Sequence, residues 1–197
     1  MRPGSDKVAR AVVLHPPERW LEERRKTGAD RWDEVWEGVL HMVAPPSSWH
    51  QRFGTKLLRI LATIAEAKGL ESSYETGLYR PGTGEGDYRV PDLVFARPER
   101  ISPRGVEGSA DLVVELLSED DESREKLPFY AEVEVREVLL IDPDTREFEL
   151  YALRDDRFFA ALPDEQGTVR SIVLGVAFTK SPGPRLSLSW PGGSGQI

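Results

Sequence analysis

The chain has 197 residues, a length at which one domain with a hydrophobic core is the usual organisation. Its 34 acidic and 26 basic residues give a net charge of −8, which argues against a broad phosphate-binding surface. No apolar run is long enough to span a membrane, and the N-terminal sequence MRPGSDKVARAVVLHPPERW lacks the apolar segment of a secretory signal. The absence of cysteine excludes disulfides and thiolate chemistry. We therefore expect one cytoplasmic domain without a membrane span, and only local contact with any nucleic acid.

The first third of the chain predicts two helices separated by a β-hairpin. A short polar helix is predicted from Glu18 to Lys26, with a break at Gly28. The apolar residues around Glu37 and Gly38 predict a hairpin or bulged strand that turns at this pair. Ser47 or Ser48 is suited to cap a second helix. The predicted core-facing stripe of that helix is Trp49, Phe53, Leu57, Ile60, Leu61 and Ile64.

Strand signals dominate the remainder of the chain. They occur in LESSYETGLYR, DYRVPDLVFA, DLVVELLS, REVLLIDP, EFELYAL, DRFFAAL, VRSIVLGVAF and PGPRLSLSW. Because PDLVFA and DLVVELL are almost continuously apolar, we expect them to be buried on both faces at the centre of the sheet. The Gly/Ser-rich end, residues 191–197, is predicted to fray. The pattern predicts a single α/β or α+β domain over residues 1–197, with a core of about 33–190 and a central mixed sheet flanked by helices.

Glu115 stands inside the apolar run of DLVVELL and needs a partner. A buried carboxylate is costly unless a cation, a hydrogen-bond donor or a metal compensates it. Asp92 begins the preceding apolar strand, and Lys126 follows 11 residues after Glu115. On neighbouring strands the two carboxylates would converge at one sheet edge and could bind a hard cation such as Mg²⁺.

Structural interpretations of these residues remain open at this stage. Asp92 follows a proline and could cap a turn. Glu115 could form a salt bridge with Arg89 or Arg97. Lys126 could be a solvated charge paired with Glu122 four residues earlier.

Four segments together resemble a known family. They are VWEGVLHMVAPPSSWHQRFGTKLLRIL, YRVPDLVFA, DLVVELLS and EKLPFYAEVEVREVLLIDPDTREFELYAL. In this order they resemble the large bacterial Uma-type restriction-endonuclease family, a domain of unknown function that is similar in fold to the PD-(D/E)XK nuclease superfamily. The resemblance covers about Val35 to Leu188 and implies a restriction-endonuclease-like core.

The resemblance makes Asp92 the motif aspartate and Glu115 the acidic residue of the (D/E)XK strand. It implies metal binding by these two residues, with the backbone carbonyl of Leu116 as a further ligand. The usual lysine position, two residues after the acid, holds Leu117. The resemblance offers Lys126 as a lysine that has moved to the following helix.

Glu37 and His50 match acidic-Gly and histidine positions of the family, which implies that they lie at the rim of the site. A turn role for Glu37 and a capping or solvent-facing role for His50 are equally open. Tyr130 is predicted to pack rather than to act in chemistry.

Pro128 departs from the family pattern. Because proline suits only the first turn of a helix, Lys126 is predicted to precede the helix, which puts its reach toward the carboxylates in question. The acidic run Glu119, Asp120, Asp121 and Glu122 offers further metal ligands or a solvated helix start.

The resemblance implies Mg²⁺- or Mn²⁺-dependent hydrolysis of phosphodiester bonds, with DNA as the substrate and a homodimer as the assembly. The competing expectation is a nuclease-like fold that has lost turnover and serves as a dimeric binding or assembly module. One locally basic stretch could meet a nucleic-acid backbone, although scattered surface arginines are the simpler and preferred interpretation. It comprises Arg80, Arg89, Arg97, Arg100 and Arg104.

Overall fold

The computed structural model describes residues 11–118 and 122–197. These residues contain three α-helices, one short 3-10 helix and seventeen strands. The helices are α1 (Glu18–Thr27), α2 (Ser48–Glu66) and α3 (Leu127–Glu132), and the 3-10 helix is Pro98–Arg100. The strands are β1 (Ala11–Val13), β2 (Glu34–Trp36), β3 (Val39–Met42), β4 (Glu71–Tyr74), β5 (Leu78–Tyr79), β6 (Tyr88–Arg89), β7 (Leu93–Ala96), β8 (Ile101–Ser102), β9 (Gly105–Glu107), β10 (Leu112–Leu116), β11 (Glu137–Ile141), β12 (Phe148–Arg154), β13 (Arg157–Ala160), β14 (Thr168–Arg170), β15 (Ala177–Ser181), β16 (Arg185–Trp190) and β17 (Gly193–Gln196). None of the helices in this part of the chain is both long and apolar enough to cross a membrane.

The strands form three sheets rather than the one sheet that we expected. The central sheet has the order β13-β12-β11-β10-β7-β4, in which only β10 and β11 run parallel. A seven-stranded sheet has the order β1-β3-β2-β6-β5-β9-β8, and a C-terminal antiparallel sheet has the order β14-β15-β16-β17. The prediction of a central mixed sheet in an α+β fold is confirmed.

Strands β7, β10 and β11 of the central sheet are buried on both faces, because they are apolar at every position but two. All residues of β7, β10 and β11 are buried, as the apolar runs predicted for the first two. Leu112, Val114 and Leu116 point to the core shared with α2 and the C-terminal sheet. Val113 points to a second core, shared with α3. By the two-residue period of a strand, Glu115 therefore lies on the α3 side.

The predicted helices form with small differences. Helix α1 ends at Gly28, whose left-handed φ of 71° suits a residue without a Cβ. Ser47 caps α2 by accepting a hydrogen bond from the backbone N–H of His50. The predicted stripe is buried or half-buried except at its first member, because Trp49 is 73% exposed.

The predicted fraying of residues 191–197 is wrong. Strand β17 pairs with β16 over four residues, and the backbone of Ile197 exchanges two hydrogen bonds with Leu186. The glycines allow close packing: a Cβ on Gly193 would lie 2.8 Å from the ring of Trp190, and one on Gly195 would lie 3.0 Å from Ile60. Because glycine has no side chain, β17 can approach Trp190 and Ile60 closely and pair with β16, so the glycines here support an ordered strand.

The segment VRSIVLGVAF is two strands instead of one. A turn at residues 171–175 separates β14 from β15, and buried Glu137 holds it. Its carboxylate accepts hydrogen bonds from the Ser171 hydroxyl at 2.5 Å and from the Ile172 backbone N–H at 2.7 Å. The carboxylate of Glu137, distant in sequence, therefore stabilises the turn that ends β14, and the apolar sequence of this segment gives no sign of that turn.

Candidate active site

Asp92 and Glu115 lie side by side at one edge of the central sheet. Strands β7 and β10 are antiparallel with Leu93 opposite Val114, so the next pair in register is Asp92 and Glu115. The Leu116 backbone N–H donates to Asp92 Oδ2 at 2.7 Å. The two carboxylates of the sequence hypothesis therefore share one site.

His50 joins this pair from the first turn of α2. Its Nε2 lies 2.6 Å from Asp92 Oδ1, and its ring is largely buried. Burial alone lowers the pKa of His50, but the hydrogen bond and negative charge of Asp92, together with Glu75 and Glu115, raise it above its ordinary value. The arrangement favours an imidazolium paired with a carboxylate.

Glu115 finds its partner in Lys126. The Nζ of Lys126 lies 3.1 Å from Glu115 Oε1 and 2.8 Å from Glu34 Oε1, and both carboxylates are buried. The hydroxyl of Tyr130, four residues further along α3, donates to Glu115 Oε1 at 2.5 Å. One ammonium and one phenol therefore hold the buried glutamate.

Glu34, like Glu115, has several hydrogen-bond and ion-pair partners. Its Oε1 also accepts the Val90 backbone N–H at 2.8 Å, and its Oε2 accepts the Trp36 indole N–H at 2.7 Å. These bonds hold the carboxylate in an orientation that directs it toward Lys126.

Carboxyl groups outnumber cationic side chains in this cluster by three to two. Burial raises the pKa of Glu115 to about 8, the attraction of Lys126 opposes this, and the nearby Asp92 and Glu34 add to the rise. The pKa of Lys126 is raised, because Glu115 and Glu34 outweigh the burial that would lower it. The lysine stays charged, while three carboxylates compete for it and for His50.

The cluster opens into a cavity of about 200 Å³. Its walls include residues 43–47 before α2, together with Glu75 and Glu122. A second cavity of about 750 Å³ shares Glu75 and Val90 with it. Titratable groups that converge on a cavity with a strongly shifted pKa are typical of a functional site.

The chain matches the family model described as "Uma2: Putative restriction endonuclease" over residues 20–179. It belongs to this family. Among solved structures, it is similar to a crystal structure of a "putative nuclease belonging to DUF820" from Anabaena variabilis ATCC 29413, with a TM-score of 0.57 and 16% identity. The match covers 73% of this chain and 83% of the other. It shows a shared fold, and the mixed α+β architecture is the one that the sequence predicted. No match was found among curated proteins.

Glu37, unlike the other predicted site residues, lies outside the cluster. It is exposed in the turn between β2 and β3 with a φ of 50°, and its backbone N–H donates to Asp87 Oδ1 at 3.2 Å. The structure places Glu34, three residues earlier, at the site instead. Sequence reasoning missed Glu34, although an acid two residues before Trp36 on one strand face was a usable signal.

The position of Pro128 does not prevent Lys126 from reaching the site. Lys126 is the residue before α3, as Pro128 predicted, and its backbone is already helical with φ −78° and ψ −17°. Tyr130 packs in the core as expected but also binds Glu115, which the sequence did not reveal.

The proposed arginine partners of Glu115 are not its partners. Arg89 pairs with Asp87 at 2.9 Å, and its guanidinium lies between the rings of Trp36 and Phe129, at 4.4 and 4.1 Å. Arg97 is exposed. Of the acidic run, Glu122 lies 3.3 Å from the Nδ1 of His41, whereas Glu119, Asp120 and Asp121 lie outside the described residues.

The donor set of the site fits a hard divalent cation that keeps much of its water. Among residues 11–118 and 122–197, no three His, Asp or Glu side chains converge as a metal cage. Asp92 and Glu115 are adjacent carboxyl groups, and a bound cation would stabilise the charged form of Glu115, which burial and the neighbouring carboxylates disfavour. Mg²⁺ typically binds proteins through one or two carboxylates and retains several waters.

Proposed function

We propose that this protein hydrolyses phosphodiester bonds of DNA in a reaction that requires Mg²⁺ or Mn²⁺. The observation that carries the proposal is the position of Lys126, whose Nζ lies 3.1 Å from Glu115 at a cavity that also contains Asp92 and His50. A carboxylate pair with a lysine is the arrangement implied by the PD-(D/E)XK resemblance. Membership of the family supports the reaction class.

In this proposal Asp92, Glu115 and the backbone carbonyl of Leu116 hold the cation. When bound, the cation would lower the pKa of a water molecule and neutralise negative charge on the phosphate. Glu115 is buried and Asp92 is largely buried, which limits the movement of both carboxylates and the access of bulk water to them.

Lys126 orients the attacking water or stabilises the negative charge that develops on the phosphate. Its raised pKa keeps it protonated and therefore unsuited to accept a proton at neutral pH. Glu34 and Glu115 hold the ammonium from two sides, which fixes its direction without a change on substrate binding.

His50 acts as a positioning residue. Its bond to Asp92 Oδ1 and the Leu116 N–H bond to Oδ2 together fix both oxygens of the aspartate. An aspartate held in this way presents its remaining lone pairs in one orientation, as is common for the outer partners of metal ligands.

The competing function, a nuclease-like module without turnover, predicts a lysine that points into solvent. The side chain of Lys126 is only 11% exposed and contacts two carboxylates. This placement favours the active enzyme over the inactive module.

We also propose that the protein is a cytoplasmic homodimer. Support comes from exposed apolar side chains at and near β13, the edge strand of the central sheet: Phe159 is 50% exposed and Leu162 is 88% exposed. Such an edge can pair with a second copy. Sedimentation equilibrium would give a dimer mass, and a monomer at all concentrations would contradict this assembly.

The enzymatic proposal is tested by calorimetric titration of Mg²⁺ and Mn²⁺ into the wild type and Glu115→Ala, followed by nicking of plasmid DNA under the same conditions. We expect binding and nicking by the wild type and loss of both in Glu115→Ala and Asp92→Ala. Glu165→Ala removes an exposed glutamate far along the chain and serves as the charge-matched control. Retained cleavage by either site variant would overturn the assignment.

A further inference from the structure

The exposed side of α2 carries an aromatic and basic surface directly beside the site. Trp49, Arg52, Lys56 and Arg59 are all exposed, and we call these four residues the Trp49 face. At 100° per residue, the four positions fall within about 80° of the helix circumference and span about 15 Å of its length. They therefore form one continuous surface.

Trp49 is the member of this face nearest the site. It precedes His50, whose ring contacts Asp92, and it follows residues 45–47, which line the site cavity. Arg52 lies one turn further along α2, with its guanidinium 5.3 Å from the centre of the Trp49 ring. A strand that leaves the cavity around the N-terminus of α2 meets the indole first and the basic side chains next.

The basic residues of this face differ from the other arginines near the site. Arg24, Arg80 and Arg104 are each bound to an acidic side chain. Arg52, Lys56 and Arg59 take part in none of the ion pairs within the described residues. In a chain of net charge −8, this is a local concentration of uncompensated positive charge.

The charge is not placed to stabilise the helix. Basic side chains are favoured in the last turn of a helix, yet α2 carries its three in the first twelve of its nineteen residues and none in its last turn. Its only acid is Glu66, the last residue. This distribution suits contact with an anion more than it suits the stability of the helix.

An indole that is 73% exposed costs solvation free energy unless something covers it. Nucleic-acid bases stack on exposed aromatic rings irrespective of sequence, and tryptophan offers the largest ring. The faces of bases inside a duplex are already covered by their neighbours, whereas an unpaired base has a free face. The exposed indole therefore favours an unpaired strand.

We propose that the Trp49 face binds an unpaired DNA strand that enters the site, with Trp49 stacking on a base and Arg52 and Lys56 contacting phosphates. This proposal rests on the proposed function and adds to it a substrate class: single-stranded or locally melted DNA. The same surface supplies the local nucleic-acid contact in a chain whose overall charge opposes a broad one.

The test measures binding of a fluorescein-labelled oligothymidine of about 20 nucleotides by anisotropy in EDTA, over a series of salt concentrations, with a duplex of equal length for comparison. We expect Trp49→Ala to weaken single-strand binding about tenfold without a change in the salt dependence, and Trp49→Phe to restore most of the affinity. We expect R52A/K56A to reduce the slope of log affinity against log salt by about 1.4, the value for two lost phosphate contacts on a single strand.

Matched controls remove similar groups elsewhere. R170A/R185A removes two exposed arginines from the C-terminal sheet, and Phe159→Ala removes an exposed aromatic ring from β13. R170A/R185A is expected to leave the affinity and the salt slope unchanged, whereas Phe159→Ala, which lies at the proposed dimer edge, is expected to leave the salt slope unchanged and reports any effect of the assembly on affinity. Circular dichroism of each variant establishes that it is folded.

The outcomes separate this inference from the enzymatic proposal. Plasmid cleavage by a wild type whose single-strand binding is insensitive to Trp49→Ala and R52A/K56A would overturn the inference and leave the nuclease intact. Single-strand binding that depends on the Trp49 face, without any cleavage, would support the inference and contradict the enzyme. A wild-type dimer that dissociates in Trp49→Ala would assign the face to a second copy and overturn the inference.

Discussion

Two buried clusters of charged side chains lie near each other in this protein, and they are balanced in opposite ways. In the Asp87 cluster, one carboxylate accepts hydrogen bonds from Arg80 at 2.5 Å, from Arg89 at 2.9 Å and from the Glu37 backbone N–H at 3.2 Å. Burial alone would raise the pKa of Asp87, but these donors hold it below its ordinary value. The carboxylate is saturated with donors.

The Glu115 cluster has the opposite balance. Three carboxylates, Glu34, Asp92 and Glu115, share one lysine and one histidine, and the pKa of Glu115 is raised to about 8. A saturated carboxylate stabilises a fold, whereas a buried carboxyl group beside a cavity, with its charged form disfavoured, would gain from a bound cation. The comparison separates a structural cluster from a candidate active site by charge balance rather than by burial, which the two share.

The largest effect is expected from Glu115→Gln, which keeps the shape of the side chain and removes its charge. We expect plasmid nicking in Mg²⁺ to fall by at least about 10³-fold, because a charged group at the reacting centre is lost. The free energy of unfolding should stay within about 1 kcal/mol of the wild type, since Lys126 retains Glu34. Urea denaturation beside the nicking assay gives both values, and a large loss of stability with normal nicking would reverse the roles of the two clusters.

Asp87→Ala should show the converse behaviour. It leaves the Arg89 guanidinium buried between two aromatic rings without its carboxylate, so we expect the free energy of unfolding to fall by about 3 kcal/mol. Glu107→Ala breaks the more exposed pair with Arg104 and should cost less than about 1 kcal/mol. Urea denaturation of both variants measures this difference, and equal costs would contradict the structural role of Asp87.

Tyr130→Phe tests how much of the Glu115 position depends on the phenol. It removes the hydroxyl that donates to Glu115 Oε1, and we expect nicking to fall by about tenfold, with about 2 kcal/mol less stability. Tyr151→Phe is the matched control, because its half-buried hydroxyl donates to Glu149 outside the site. Nicking should be unchanged in the control, and an equal loss in both variants would show that the tyrosine effect is not specific to Glu115.

The smallest effect concerns pH. Because the folded-state pKa of Asp87 is depressed, its contribution to stability is present above the unfolded pKa of about 3.9 and is lost as pH falls through the folded value. The stability difference between the wild type and Asp87→Asn should therefore be constant near neutrality and shrink below about pH 4. Urea denaturation at a series of pH values measures it, and a difference that grows in acid would contradict the depressed pKa.

Sequence periodicity was sufficient for the elements that form the site. The apolar runs that became β7 and β10 are buried at every position, and antiparallel pairing brings Asp92 and Glu115 together. Ser47 was recognisable as a helix cap from its chemistry alone. These features depend on short apolar runs and on the capping chemistry of single residues, which a sequence displays directly.

Contacts between segments that are distant in the sequence could not be predicted from such local patterns. Glu34 begins the short strand β2 and Glu37 follows it, and only the packing of β2 near α3 shows that Glu34 contacts Lys126 whereas Glu37 lies in the exposed turn. The order of the C-terminal residues depends on the close approach of Gly193 and Gly195 to the side chains of Trp190 and Ile60. The turn before β15 depends on Glu137, which lies more than thirty residues earlier.

The sequence by itself therefore determined the family, the central strands and the carboxylate pair, because each follows from residue type and spacing along the chain. Only the tertiary structure decided that Lys126 reaches Glu115 despite Pro128, that Glu34 completes the cluster, and that Trp49 is left exposed beside His50. These outcomes depend on distances between segments far apart in the chain. Such distances are determined by how sheets and helices pack against each other, and no local pattern records them.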